Sequence, residues 1–362
     1  MTEKYSLVLI TGAAGWLGLG LASALVKGLP DVPALNNNPL SGLRIRCLVL
    51  PGQDVANLSA ISPDLDIVRG DVTAPASLDA FFQGAKNAVL FHCVGVIHPH
   101  RAADFERINT VGSINVWEAA ARAGVKRVVV MSSNSPCGCN PHPDHLFDED
   151  SPYNPYMGYG RSKMLMEIAL RERAAKGGPE TVILRAPWFY GPFQPPRQTE
   201  FFVMVRDGKG PLLGQGVNRR SMSYIDNLSQ GMLLSALVPQ AAERTYWIGD
   251  EKPYEMREIL DTIERVLERD FKIPCRKKRL RLPSVMADAA EMADFCLQKF
   301  GLYHQKIHVL SEMNKTIACS VQKAIRELGY SPAVNLEEGM RRSIAWLMDR
   351  PGEREKLLSG GQ

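Results

Sequence analysis

At 362 residues, with 45% apolar and 23% charged side chains and a formal net charge of +4, the chain has the balance of a globular protein with a sizeable core. So mild a charge does not by itself imply nucleic acid as a partner, and no apolar run approaches the roughly 18 residues of a membrane-spanning helix. Seven cysteines, an odd number in a large chain, exclude a secreted disulfide scaffold and read as reduced thiols in a cytoplasmic setting.

Met1-Thr2-Glu3-Lys4-Tyr5 leads at once into the apolar run Ser6–Ile10, which reads as a buried strand with no signal peptide before it. A helical pattern follows from about Trp16 to Lys27. Residues 30–42, polar and containing Asn36-Asn37-Asn38-Pro39, read as a surface loop. Further strands are expected at Arg44–Leu50, Asp66–Arg69, Ala88–Cys93, Arg127–Met131 and Thr181–Leu184, with helices at Phe105–Ala123 and Tyr159–Ala175. Short buried strands alternating with helices argue for an α/β fold, a Rossmann-type doubly wound parallel sheet covered on both faces. After Gly191 the chain turns Gly- and Pro-rich. Met222–Leu237 and Arg244–Ile248 read as a return to the sheet, and the rest is mostly helical. The expected organisation is a dinucleotide-binding domain over 1–190 with 222–250 returning to it. Residues 191–221 and 251–350 form a smaller, interleaved substrate lobe, and the tail from Pro351 is expected to fray.

Between the first strand and first helix lies Thr11-Gly12-Ala13-Ala14-Gly15-Trp16-Leu17-Gly18. Gly12 permits a tight turn, Gly15 lets backbone approach a pyrophosphate at the helix N-terminus, and Gly18 lets helix and sheet pack closely. This spacing resembles the extended branch of the short-chain dehydrogenase/reductase superfamily, the branch of the NAD-dependent epimerases and dehydratases. Gly70-Asp71-Val72 after the third strand, Phe91-His92-Cys93 at the end of the fourth, and Asn109 in Ile108-Asn109-Thr110-Val111-Gly112 fall where that resemblance expects them. It implies cofactor contacts from Gly12, Ala14, Gly15, Trp16, Leu17, Asp71, Val72, His92, Asn109, Tyr159, Lys163, Ala186 and Pro187. NAD-preferring members usually close the second strand with an acid for the ribose hydroxyls. Here Cys47-Leu48-Val49-Leu50-Pro51-Gly52 ends with neither an acid nor an arginine, which leaves NADP open beside NAD, the expected cofactor.

Tyr159-Gly160-Arg161-Ser162-Lys163 places a phenol and an ammonium at i and i+4, on one helix face. A phenol with its ordinary pKa near ~10 is a poor base at neutral pH, and a neighbouring cation favours the phenolate. Tyr156 has Gly160 where a lysine is needed, so Tyr159 is the better reactive phenol. Ser133, at the end of the fifth strand and five residues before Gly138, matches the family's serine or threonine and completes the catalytic set Ser133, Tyr159, Lys163. The chemistry implied is hydride transfer at a secondary alcohol or its ketone. A non-catalytic nucleotide sensor on the same fold is the competing class, but such a protein is free to lose its Tyr or Lys, and both are present.

The substrate is a small molecule. Asn134 and Ser135 stand where a dehydratase would carry an acidic pair, which argues against dehydration. Arg220 matches an arginine that clamps a sugar-nucleotide diphosphate, and its fork suits that task. Trp188 and Cys137 replace the family's usual asparagine and tyrosine and make the pocket less polar. The stretch from Leu280 to Tyr330 is similar to 3β-hydroxysteroid and sterol dehydrogenases. A nucleotide-sugar 4-epimerase is thus placed slightly ahead of a dehydrogenase for a hydrophobic alcohol. The resemblance also implies a homodimer through helices near 105–123 and 159–175.

Four remaining signals have ordinary readings. Cys137-Gly138-Cys139-Asn140-Pro141-His142-Pro143-Asp144-His145 has metal-like spacing but falls in the loop after the catalytic strand, so no metal is expected. His98 and His100 read as loop histidines. Arg276-Lys277-Lys278-Arg279-Leu280-Arg281 reads as a solvated surface strand. In the following helix, Val285–Phe300, the residues Met286, Ala289, Met292, Ala293 and Cys296 read as a core-facing stripe or a lid.

Overall fold

The computed structural model describes residues 5–36, 40 and 42–359. Met1–Lys4, residues 37–39 and 41 of the expected loop, and Gly360–Gln362 of the expected tail lie outside the described residues. Seven strands build the central sheet: β1 (Val8–Thr11), β2 (Ile45–Val49), β3 (Asp66–Arg69), β4 (Val89–His92), β5 (Arg127–Met131), β6 (Glu180–Arg185) and β7 (Thr245–Trp247). Their order is β3-β2-β1-β4-β5-β6-β7, and every pairing is parallel.

Eight helices matter below: α1 (Trp16–Lys27), α2 (Ser113–Arg122), α3 (Met157–Ala174), α4 (Ile225–Leu237), α5 (Met256–Phe271), α6 (Val285–Lys299), α7 (Gln305–Glu312) and α8 (Leu336–Met348). Alternation along β1 divides the core. Val8 and Ile10 enter the layer filled by α1, α4, α5 and α8, while Leu9 enters the layer filled by α2 and α3. Each such side chain removed from water contributes about 1.5–3 kcal/mol. With helices on both faces, apolar runs replace alternating ones, and the chain is the expected doubly wound α/β fold.

The strand order reverses between β1 and β4, where Thr11 and His92 stand in register. A crevice opens at such a reversal beyond the carboxyl ends of the strands, and ligands of open α/β sheets bind there.

Four local expectations are corrected. Met222–Tyr224 does not rejoin the main sheet but pairs with Trp188–Tyr190 in a separate two-stranded ladder. Pro187, without an N–H, follows the end of β6, and the chain leaves the sheet there. Thr245–Trp247 does pair with β6. The segment from Pro351 is helical over Pro351–Leu358 rather than frayed. Its Leu357 is fully buried, and Arg206 Nη1 donates to the carbonyls of Lys356 and Leu357. The stretch before α2 is a π-helical segment, Phe105–Gly112, rather than regular α-helix. Finally, α6 is rotated from the expected orientation. Met286, Ala289, Met292, Ala293 and Cys296 face solvent, and Ala287, Ala290 and Asp294 face inward. The cause is polar: Asp294 accepts hydrogen bonds from His308 and Gln298, and a fully buried carboxylate outweighs apolar periodicity because it must keep its donors.

Candidate functional site

The glycine turn has the geometry its residues require. Gly12 sits at φ +66°, and a Cβ there would lie 3.0 Å from the Val94 nitrogen. A Cβ on Gly18 would lie 2.3 Å from the Gly12 oxygen, so only glycine lets α1 approach the strand this closely. Helix α1 starts after Gly15 with no side-chain cap and no acid in its first turn. Its leading N–H groups and positive dipole end therefore suit an anion such as a pyrophosphate. Ala14 is partly buried, Leu17 is buried beneath the turn, and Trp16 donates from Nε1 to the Pro192 carbonyl at 2.8 Å, tying the turn to the chain beyond β6.

At the far end of this crevice Asp71 Oδ1 accepts from the Thr73 nitrogen and hydroxyl, and Val72 packs on Gly112. Arg44 and Arg46 are both engaged by Asp66 at 2.7 Å, Arg46 buried within the strand layer and Arg44 exposed at its edge. Arg69 donates to the carbonyls of Leu50 and Gln53 and closes the loop where the usual acid is missing.

His92 and Asn109 lie at the strand-order reversal, but their polar atoms are engaged within the protein. Ser113 donates its single hydroxyl hydrogen to the Asn109 carbonyl, so His92 Nε2 donates to Ser113 Oγ at 2.8 Å and Nδ1 accepts from Thr11 Oγ1 at 2.7 Å. Burial, and then the Lys163 charge, depress the His92 pKa to about 3, so the ring is neutral. Asn109 is fully buried. It accepts from the Val96 nitrogen and donates to the Val96 carbonyl and Ser162 Oγ, bracing the loop after β4 against α3. The π-helical segment presents Asn109 at this junction, a backbone irregularity frequent at functional sites.

Beyond the ends of β4 and β5, the Ser133 hydroxyl faces the Tyr159 phenol, and Lys163, one turn on along α3, reaches the Met131 carbonyl and Gly95. Gly160 makes the approach possible: a Cβ on it would lie 2.5 Å from the Ser135 carbonyl, so α3 packs directly on the loop carrying Ser133. Burial pushes the Tyr159 phenol up to about 12, with the Ser133 hydroxyl pulling the other way. Lys163 is buried, and its Nζ donates to the Met131 carbonyl at 3.0 Å. Burial brings its pKa down to about 8, while the Glu167 charge holds it up. A phenol with so raised a pKa needs added positive charge beside it to lose its proton.

A family model described as "NAD dependent epimerase/dehydratase family" matches residues 8–249. The chain belongs to that family. It is therefore an enzyme of an NAD-dependent family acting on small molecules, and the family match fits the glycine turn at its start. An uncharacterized protein, y4nL of Sinorhizobium fredii, is 54% identical over 347 residues, 96% of each chain. 3beta-Hydroxysteroid-dehydrogenase/decarboxylase isoform 1 of Arabidopsis thaliana is 26% identical, covering 95% of this chain and 80% of that protein. The dTDP-glucose 4,6-dehydratase DesIV of Streptomyces venezuelae, solved with NAD bound, superposes with a TM-score of 0.73 at 25% identity, covering 97% and 99% of the two chains.

The expected substrate-side residues of this family member scatter more. Ser135 is buried and its hydroxyl is 3.3 Å from Ser133 Oγ, while the Asn134 side chain lies 3.4 Å from the same oxygen. Ala186 and Pro187 are buried behind that loop, with the Ala186 carbonyl accepting from the Asn134 nitrogen. Trp188 packs on Phe201. Arg220 donates from Nη2 to the Glu312 carbonyl at the end of α7, and its Nε is buried with no partner among the described residues. Among the described residues no cluster of three or more His, Cys, Asp or Glu could hold a metal ion. In the metal-like loop His145 bonds to Asn140, and Cys137 packs with Phe147, Trp247 and Cys319. His98 pairs with the Tyr303 hydroxyl at 2.7 Å, whereas His100 is exposed. No helix of the described residues is long and apolar enough to cross a membrane.

Three groups escaped the sequence reading. Glu167 is fully buried, accepting from Arg185 at 2.8 Å, Ser132 at 2.5 Å and Tyr153 at 2.9 Å. A signal for it existed, since it lies one further turn along the Tyr159–Lys163 face. Phe105, against the Tyr159 ring at 6.0 Å, and Gln298, whose Oε1 accepts from the Gly158 nitrogen at 2.9 Å, come from distant segments with no local signature.

Proposed function

We propose that this enzyme interconverts a secondary alcohol and its ketone, with Tyr159 moving the hydroxyl proton, Ser133 holding the substrate oxygen and Lys163 supplying the positive charge. The observation that carries this reading is the convergence of these three side chains at the carboxyl ends of β4 and β5. The glycine turn, the uncapped start of α1 and Lys163 would hold the dinucleotide, which when bound accepts or donates a hydride at its nicotinamide ring. In its oxidised form that ring would add its own positive charge to the one Lys163 brings and favour the Tyr159 phenolate. His92 and Asn109 act by keeping the floor of the site rigid.

For the substrate, the environment favours an alcohol on a bulky apolar body. Phe105 walls the phenol, Tyr303 packs edge-on to Phe105 at 5.3 Å, and one arm of the Arg220 fork is already engaged by Glu312. The unpartnered Nε of Arg220 favours the second reading, a nucleotide-sugar 4-epimerase with a phosphate at that position. A homodimer in the cytoplasm belongs to the same proposal.

Mass spectrometry of nucleotide released by denaturing freshly purified protein separates the two. Stoichiometric NAD supports epimerisation, and an empty site that fills on adding NAD supports net dehydrogenation. Tyr159→Phe should lower turnover by about 10²–10⁴-fold while nucleotide binding persists. Unchanged turnover would overturn the assignment.

A further inference from the structure

Between residues 280 and 309 lie eight of the sixteen large apolar side chains exposed among the described residues. Most belong to the α6–α7 hairpin: Val285, Met292 and Phe295 on α6 are 65%, 66% and 54% exposed, and Phe300 in the connection reaches 81%. Single exposed apolar residues are ordinary, but a contiguous face of them marks a contact surface. The orientation is enforced from below, because turning Met292 inward would withdraw Asp294 from His308 and Gln298 from Gly158.

The charges of the hairpin are sorted in the same sense. Each of its carboxylates faces a partner from within the chain. Asp294 faces His308, Asp288 and Glu291 face Lys315, and Glu312 lies 3.8 Å from His308. Lys299 and Lys306, with Lys278 and Arg281 of the preceding segment, are exposed, and no ion pair holds them among the described residues.

We propose that this hairpin seats the enzyme on an anionic lipid bilayer, its apolar side chains entering the acyl boundary and its lysines meeting the headgroups. An apolar face fringed by unpaired cations complements that surface. It fits a second copy of the chain poorly, since a two-fold contact would bring together two faces fringed by the same unpaired cations. The hairpin lies on the membrane rather than spanning it, as no described helix is long and apolar enough to cross. Because α6 also grips Gly158 at the start of α3, the docked surface lies beside the reactive phenol.

The test is co-sedimentation of the full chain, loaded with NAD, with vesicles of phosphatidylcholine alone and with about 30% phosphatidylglycerol added. The expected result is binding to the anionic vesicles, with each of Lys299→Glu and Lys306→Glu weakening it about fivefold or more. The double variant Met292→Asp/Phe300→Asp, at exposed positions, should keep its circular dichroism and nucleotide binding yet lose at least about tenfold in vesicle affinity. No sedimentation with either vesicle, or binding indifferent to the double variant, overturns the proposal. So does an oligomer in size exclusion that the double variant dissolves without any vesicle binding by wild type, which would make a second copy the occupant. None of these readouts depends on turnover, so failure of the catalytic assignment would be seen separately.

Discussion

Helices α3 and α6 meet at Gly158, and each turns ionisable side chains inward. Helix α3 buries Ser162, Lys163 and Glu167, while α6 buries Asp294 and exposes Val285 and Met292. In α3 the buried polar groups are answered by Met131, Ser132, Tyr153 and Arg185 from β5, β6 and the neighbouring loop, so the helix is locked into the sheet layer. In α6 the partners are His308 and Gln298, members of the same hairpin, and the apolar side is left outside. The difference teaches that a buried ionisable group, once paired, sets the rotation of a helix more firmly than its apolar stripe, because an unpaired buried charge costs several kcal/mol while an exposed methionine costs about 2.

Four substitutions, at three positions, sharpen or break that comparison. Glu167→Leu should destabilise the fold by about 3–5 kcal/mol in urea or thermal unfolding, because it strands the buried Arg185 guanidinium. The milder Glu167→Gln carries a second readout. Losing the Glu167 charge removes what holds the Lys163 pKa up near about 8, so the ammonium deprotonates at lower pH and the basic limb of the activity profile should move to the acid side. An unmoved limb would mean that Glu167 serves Arg185 alone. Gly160→Ala introduces a Cβ 2.5 Å from the Ser135 carbonyl. The overpacking should cost about 1–3 kcal/mol, only partly offset by alanine's helix propensity, and should lower kcat more than it raises KM as Tyr159 withdraws from Ser133. Smallest is Gln298→Ala, which takes the side-chain acceptor from the Gly158 N–H. About 1 kcal/mol or less should be lost in unfolding, with kcat falling while nucleotide affinity stays. An intact kcat would show that the hairpin does not position α3.

The sheet half was legible because its signals are local. Short strands of three to six residues, glycines at a tight turn and a phenol four residues from a lysine each declare themselves within one turn or strand. Those same residues carried the family; the strands expected at Asp66–Arg69 and Arg127–Met131 match the observed ones, and the others differ by at most two residues at an end. The substrate side was not legible in that way. Nothing near Trp188 announced that Met222–Tyr224 would pair with it outside the main sheet, and nothing near Arg220 announced that one arm of its fork would meet the Glu312 carbonyl. Glu167 stood on the right helix face, but its meaning required Arg185 from the next strand.

By itself, then, the amino-acid sequence determined the doubly wound class, the dinucleotide turn and the Tyr159–Lys163 face, because backbone conformation and spacing along one element decide them. Tertiary structure alone decided which side of α6 meets solvent, what walls the phenol and where Arg220 donates. Those outcomes depend on which distant donor reaches each buried acceptor, and periodicity along a single helix carries no record of that partner.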